Sequence, residues 1–144
     1  MLLEFSTPLL LKPQKRNKLS KQNTKDLHPS YLLGNLAFDL CALDMEDREN
    51  APDIASRRAL CEAARAMIQT QSMNIQTVTM QLSPSSYGTR LSRTNQREII
   101  LDGFFGHMVL KCPPELLPWL RALGHWRAGQ LVSKGLGDIH LWYR

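Results

Sequence analysis

The stretch from Leu101 to Tyr143 constrains the fold most, because it sets a strand, a helix and a second strand in order and carries most of the glycines. It opens with Asp102-Gly103-Phe104-Phe105-Gly106, runs through the β-prone Met108-Val109-Leu110 and, past Pro113-Pro114, enters a helical segment from Glu115 to Leu123. Gly129, Gly135 and Gly137 follow, spaced through Gln130-Leu131-Val132-Ser133-Lys134, and the chain then alternates Ile139, Leu141 and Tyr143. Gly135 and Gly137 flank Leu136. A residue without Cβ reaches positive φ and admits a ligand close to the main chain, so a turn of this kind can present N–H groups to a phosphate. The simpler reading is a tight connection from helix to strand.

Upstream, Leu2 to Leu11 reads as a first strand. Its Pro8 cannot donate to a ladder, which demands an edge position or a bulge. Residues 12–27 are polar and basic without apolar periodicity, and are expected to form a mobile loop. His28-Pro29-Ser30 reads as a helix entry with Ser30 as the cap. Tyr31, Leu32, Leu36, Phe38, Leu40, Cys41 and Leu43 supply the apolar face of that helix. The polar run from Met45 to Asn50 interrupts it. Asp53 to Gln69 resumes it, with Ile54, Leu60, Ala64, Met67 and Ile68 expected inward and Arg57, Arg58, Glu62 and Arg65 outward.

From Met73 to Leu82 the period changes to two, placing Val78, Met80 and Leu82 on one face of a strand. Ser83-Pro84-Ser85-Ser86-Tyr87-Gly88 reads as a turn. Thr89 to Glu98 is a polar, arginine-rich connection, and Ile99 to Lys111 a long strand with a kink at Gly103 or Gly106. The order is strand, two-part helix, strand, strand, helix, strand. It predicts an α+β, ferredoxin-like βαββαβ fold, with an antiparallel sheet and two helical crossovers on one face. At 144 residues the chain fits one such domain, 1–144.

Net charge is +5, and its distribution matters more than its size. Lys12, Lys15, Arg16, Lys18, Lys21 and Lys25 form one basic island and Arg90, Arg93 and Arg97 another, with an acidic Asp39–Asp53 stretch between them. Two basic islands suit a polyanionic partner, because phosphate attraction adds up independently of sequence; solvated charged loops are the plain alternative. Cys41, Cys61 and Cys112 lack paired spacing and read as reduced thiols of a cytoplasmic protein. His28, His107, His125 and His140 lack zinc-site spacing, so neither metal nor cofactor is expected. No apolar run approaches bilayer-spanning length, so no membrane partner is expected. Met1-Leu2-Leu3-Glu4-Phe5 lacks the basic start of a secretory signal.

Three segments carry a family likeness. Leu3-Glu4-Phe5-Ser6-Thr7-Pro8-Leu9-Leu10-Leu11-Lys12 resembles the strand, with its Thr-Pro-Leu core, that opens the second domain of the CRISPR repeat-processing endoribonucleases of the RAMP superfamily. Arg90-Leu91-Ser92-Arg93-Thr94-Asn95-Gln96-Arg97, followed by Leu101-Asp102-Gly103-Phe104-Phe105-Gly106, resembles that family's Arg/Ser/Gln-rich segment and its L-x-G-x-x-G strand. Leu123-Gly124-His125-Trp126, Gly129-Gln130 and Lys134-Gly135-Leu136-Gly137 resemble its closing segment, where a G-K pair precedes a glycine-rich loop and the final strand. Gln130 stands where the family usually has lysine, Lys134 where it usually has an aromatic residue, and Arg127-Ala128 where a histidine often precedes the G-K pair. Family members normally carry two ferredoxin-like domains, with the catalytic histidine in the first. The resemblance implies only the second here.

The resemblance also implies a chemistry, metal-independent attack of a ribose 2′-hydroxyl on the adjacent phosphate that leaves a 2′,3′-cyclic phosphate. Such a reaction needs a base, an acid and a cation near the phosphorus. His28, before the first helix, is the catalytic candidate by analogy with the family's first domain; a helix-flanking surface histidine is the plain alternative. For RNA binding the candidates are Arg90, Arg93 and Arg97 on a hairpin, where the planar guanidinium suits phosphate and guanine, together with Arg127, Gln130, Lys134, Gly135 and Gly137 around the glycine turn. Trp119, Trp126 and Trp142 read as core or partner contacts. The expected partners are CRISPR repeat or guide RNA and other CRISPR effector subunits, with a homodimer or a separate first-domain chain as further possibilities. Two alternatives stand beside this reading: a non-catalytic RAMP subunit, and a dimeric regulatory module that binds a small ligand.

Overall fold

The computed structural model describes residues 1–9, 27–46, 50, 52–91, 98–126 and 137–142. Their elements follow the order β1 (Leu2–Leu9), α1 (Pro29–Glu46), α2 (Ile54–Ser72), β2 (Gln76–Leu91), β3 (Glu98–Lys111), a short 3₁₀ turn (Pro114–Leu116), α3 (Leu117–Trp126) and β4 (Ile139–Trp142). The strands form one antiparallel sheet in the order β2-β3-β1-β4. That is the ferredoxin-like arrangement, with the first crossover built from two helices.

β1 lies between β3 and β4. Leu2 to Phe5 pair with Val109 to Gly106 on one side and with Trp142 to Ile139 on the other. The register slips between Phe5 and Leu9, where Pro8 sits, so the missing N–H is absorbed by a bulge in a central strand. Leu3, Phe5, Met108, Leu110 and Ile139 point to one face and are buried against Leu32, Leu33, Leu36 and Ala37 of α1 and Leu116, Leu120 and Leu123 at α3. The alternating residues Glu4, His107 and His140 point to the other face.

α1 is apolar over a wide arc because it has neighbours on two sides, the sheet with α3 and the antiparallel α2. Two details of these helices differ from the sequence reading. Pro29 is the first residue of α1, and His28, not Ser30, caps it: His28 Nδ1 accepts from the Ser30 N–H at 3.2 Å. In α2 the buried positions are Cys61, Ile68 and Ser72, while Ile54, Leu60 and Met67 face solvent. Arg57 and Arg65 turn partly inward instead. Arg57 Nε donates to the Pro52 carbonyl at 2.6 Å, and Arg65 lies over the Phe38 ring, 4.3 Å from its centroid, and pairs with Glu62 at 2.7 Å. A long cation with an apolar stem lines a helix–helix seam as well as an aliphatic residue does. Asp53 caps α2 by accepting from the Ser56 N–H, and this bond holds its carboxyl below the usual range.

β2 extends further than its composition suggests. Ser83 to Gly88 form no turn; they continue the ladder with β3, Ser83 opposite Phe105 and Gly88 opposite Leu101, with a bulge between Ser86 and Gly88. Pro84 is accommodated because β2 is an edge strand. A second bulge between Thr77 and Thr79 turns Val78 out to solvent at 65% exposure, away from the face that Met80 and Leu82 share. Beyond the Leu9–Phe104 pair, β2 and β3 run on as a two-stranded arm to Leu91 and Glu98. The arm is about 17 Å long from Gly103 to Glu98 at the usual rise per residue.

Of the two glycines at which a kink is expected, Gly106 has a positive φ. Its φ is 132°, and a Cβ there would collide with the Gln81 carbonyl of β2. Gly106→Ala should therefore destabilise the fold by roughly 3 kcal/mol or more, combining a disfavoured backbone conformation with a clash against main chain. Urea unfolding reads this as a lower midpoint at nearly unchanged slope, whereas Ser83→Ala on the neighbouring strand should stay within about 0.5 kcal/mol.

Candidate nucleic-acid interface

The sheet register decides which sequence candidates come together. β4 begins where β1 approaches its carboxyl end: Ile139 pairs with Phe5, and the Asp138 carbonyl accepts from both the N–H and the hydroxyl of Ser6, at 3.1 and 3.2 Å. Gly137, just before Asp138, has φ 74° and is buried. It thus occupies the left-handed conformation that a glycine turn requires. The β2–β3 arm leaves the sheet at the same end, past Leu9 and Phe104. Arg90 is on the arm, opposite Ile99 and one residue before the last pair, Leu91–Glu98. The exit of the glycine turn and the base of the arm are thus two strand spacings apart across β1, about 10 Å. Arg93, Arg97, Arg127, Gln130, Lys134 and Gly135 lie outside the described residues, as does most of the basic 12–27 segment.

His28 is at the other end. Its Nε2 donates to the carbonyl of Ile75 at 3.0 Å, immediately before Gln76, which pairs with Lys111. From Lys111 to Phe104 along β3 is about 23 Å. Nδ1 is also engaged, accepting from the Ser30 N–H and lying 2.8 Å from the Ser30 hydroxyl, which in turn reaches Met73 Sδ at 3.5 Å. These bonds fix the neutral tautomer protonated on Nε2. The ring links the start of α1 to the start of β2, and neither nitrogen faces the arm.

The other face of the sheet contains what the linear reading passed over. No described element covers it. One row crosses all four strands, Gln81 opposite His107, His107 opposite Glu4, and Glu4 opposite His140. Directly opposed residues hold their Cβ atoms about 5 Å apart, so Glu4 has an imidazole on each side. Trp142 Nε1 donates to Glu4 Oε2 at 3.1 Å, and His140 Nε2 lies 3.8 Å from Asp138 Oδ2. Phe105 and Trp142 flank the row, 39% and 56% exposed. The signal was present in the period-two alternation of Glu4 with Leu3 and Phe5, of His107 with Met108, and of His140 with Ile139 and Leu141. Strand order was needed to bring the three together.

Thiol chemistry is poorly supported. Burial pushes the thiols of Cys61 and Cys112 up, Cys61 also through its contact with Cys41, and holds them neutral. No group of His, Cys, Asp and Glu among the described residues is arranged to hold a metal ion. Among those residues no helix is long and apolar enough to cross a membrane. No protein-family model matches the chain, and no curated protein matches it.

The geometry of His28 makes its role testable. His28→Ala should cost about 2 kcal/mol, from the lost cap and the unbonded Ile75 carbonyl. His28→Asn, which keeps a capping acceptor, should recover about half of that in urea unfolding. Loss of RNA cleavage at unchanged stability would instead mark His28 as a catalytic residue.

Proposed function

We propose that this chain binds CRISPR repeat RNA in the cytoplasm, as a protein of the repeat-processing endoribonuclease type that generates or retains guide RNA in antiviral defence. The observation that carries this reading is the convergence at one end of the sheet of the Arg90-bearing arm and the left-handed Gly137. A ribbon about 17 Å long with arginine near its tip suits the backbone of a stem–loop, because RNA duplexes are recognised through phosphates and shape more than through base edges in their narrow major groove. Arg127, Gln130 and Lys134 enter this reading through the family resemblance alone.

A second reading, a non-catalytic subunit that docks on other RAMP proteins, draws on one observation. Leu60 and Met67, seven residues apart on α2, share a solvent-exposed face. The two readings differ in products: a 2′,3′-cyclic phosphate end on repeat RNA supports the endoribonuclease, and retention of uncut RNA supports the subunit.

Replacing Arg90, Arg93 and Arg97 together with Gln should weaken affinity for a repeat stem–loop. It should also reduce the slope of log affinity against log salt by about 2 to 3, close to one unit for each phosphate that is no longer neutralised. Gel-shift titrations at several salt concentrations measure both effects. An unaltered slope removes the arm from the interface, and absence of salt-dependent RNA binding by the parent protein favours a small-ligand module instead.

A further inference from the structure

We propose that the row His107–Glu4–His140 on the open sheet face is an acid–base centre for cutting a single-stranded segment of the bound RNA, an inference that rests on the RNA-binding reading above. Cleavage through the 2′-hydroxyl needs a proton acceptor, a proton donor and positive charge near phosphorus, all within one nucleotide of each other. The row supplies a carboxylate between two imidazoles on adjacent strands. The Glu4 carboxylate accepts the proton of the 2′-OH as O2′ attacks phosphorus. As the P–O2′ bond forms the P–O5′ bond breaks, and an imidazolium of the row gives its proton to O5′. The products are a 2′,3′-cyclic phosphate and a 5′-hydroxyl, and no outside oxidant, reductant or nucleophile is consumed.

Two further features suit this chemistry. The Trp142 indole holds Glu4 Oε2, which fixes the carboxylate on an otherwise exposed surface. Phe105 and Trp142 stand on opposite sides of the row, two strands and four residues apart along the sheet, or about 16 Å on the diagonal. Exposed aromatic rings at that separation stack bases of a short extended strand and leave its phosphates over the row. Among the described side chains the charged groups on this face are Glu4, His107, His140 and Lys111, with Asp138 beside His140; those of β2 that lie opposite β3 here are the uncharged Gln76, Thr79, Gln81 and Ser83. Lys111 adds a fixed positive charge at the end of this face, to which a phosphate is attracted.

The test uses the full chain in EDTA with a labelled repeat stem–loop carrying unpaired flanks, and a second RNA with 2′-deoxy sugars throughout those flanks. Cleavage is expected in the flank of the first RNA only, leaving a cyclic phosphate, with a bell-shaped dependence on pH as expected for one acid and one base acting together. Glu4→Gln and at least one of His107→Gln and His140→Gln should each slow cleavage by about 100-fold or more while changing RNA affinity less than threefold. Trp142→Phe, which keeps a ring but loses the N–H, should slow turnover with little change in KM. The proposal is overturned if the parent protein binds the stem–loop without cutting it, or if Glu4→Gln cuts at the parental rate; in both cases RNA binding itself stands. Failure to bind overturns the RNA reading and this centre together.

Discussion

The pairing of β1 on both of its edges is the constraint from which the rest of the structure follows. Residues 2–5 are paired on one side with residues 106–109 and on the other with residues 139–142, and Leu9 pairs with Phe104 beyond the bulge, so the first strand is held between two strands from the last third of the chain. Met1 reinforces the closure, its amino group donating to the Leu110 carbonyl at 3.1 Å and its own carbonyl accepting from the Leu110 N–H at 2.8 Å. Pairings this distant in sequence carry a large loop-closure cost, which only the burial of Leu3, Phe5, Met108, Leu110 and Ile139 under α1 and α3 offsets. The same pairing sets Glu4 between two histidines and brings Gly137 beside Ser6.

The local irregularities serve that arrangement. Pro8 would break a central ladder, so β1 bulges between Phe5 and Leu9. Opposite the start of that bulge, β3 passes β2 closely enough that only glycine fits at position 106. Once past the Leu9–Phe104 pair, β2 and β3 have each other as their only described strand neighbours. An arm formed in this way is stabilised by cross-strand pairs alone, apart from what its sequence or a partner adds. An RNA seated along it would supply the missing neighbour, which ties the proposed function to the place where the sheet itself stops.

Much of the fold was legible because it rests on local signals. The strand periods at Leu2 and Ile99, the break between α1 and α2, and the helix after Pro113-Pro114 all follow from periodicity and proline. Gly137 has the positive φ that its glycine-rich setting suggests. The misreadings have a common cause, since each depends on a partner distant in the chain. Ser83 to Gly88 has turn composition, yet β3 offers that segment a ladder, and the hydrogen bonds override propensity. Val78 fits the alternation until a bulge shifts it by one. The inward face of α2 is set by α1, which accepts Arg65 over Phe38 and leaves Leu60 outside. Ser30 is the better intrinsic cap, but His28 also reaches the Ile75 carbonyl and therefore serves two elements at once.

The two proposed uses of the sheet differ in range, and their positions suit the difference. Attraction between arginines and phosphates acts over about 10 Å at ordinary ionic strength, so the arm can gather RNA without close complementarity. Proton transfer and base stacking act only at contact, which demands the rigid part of the molecule. Glu4 and His107 are in the doubly paired section of β1 and β3, whereas Arg90 is out on the arm. The row and the base of the arm are separated by only about 10 Å along β3. An RNA held by the arm would therefore bring its adjoining single strand over the row without any movement between domains. On this reading the sheet itself sets the distance from the grip on the stem to the cut in the flank. Lengthening the arm would strengthen the grip yet leave that distance unchanged.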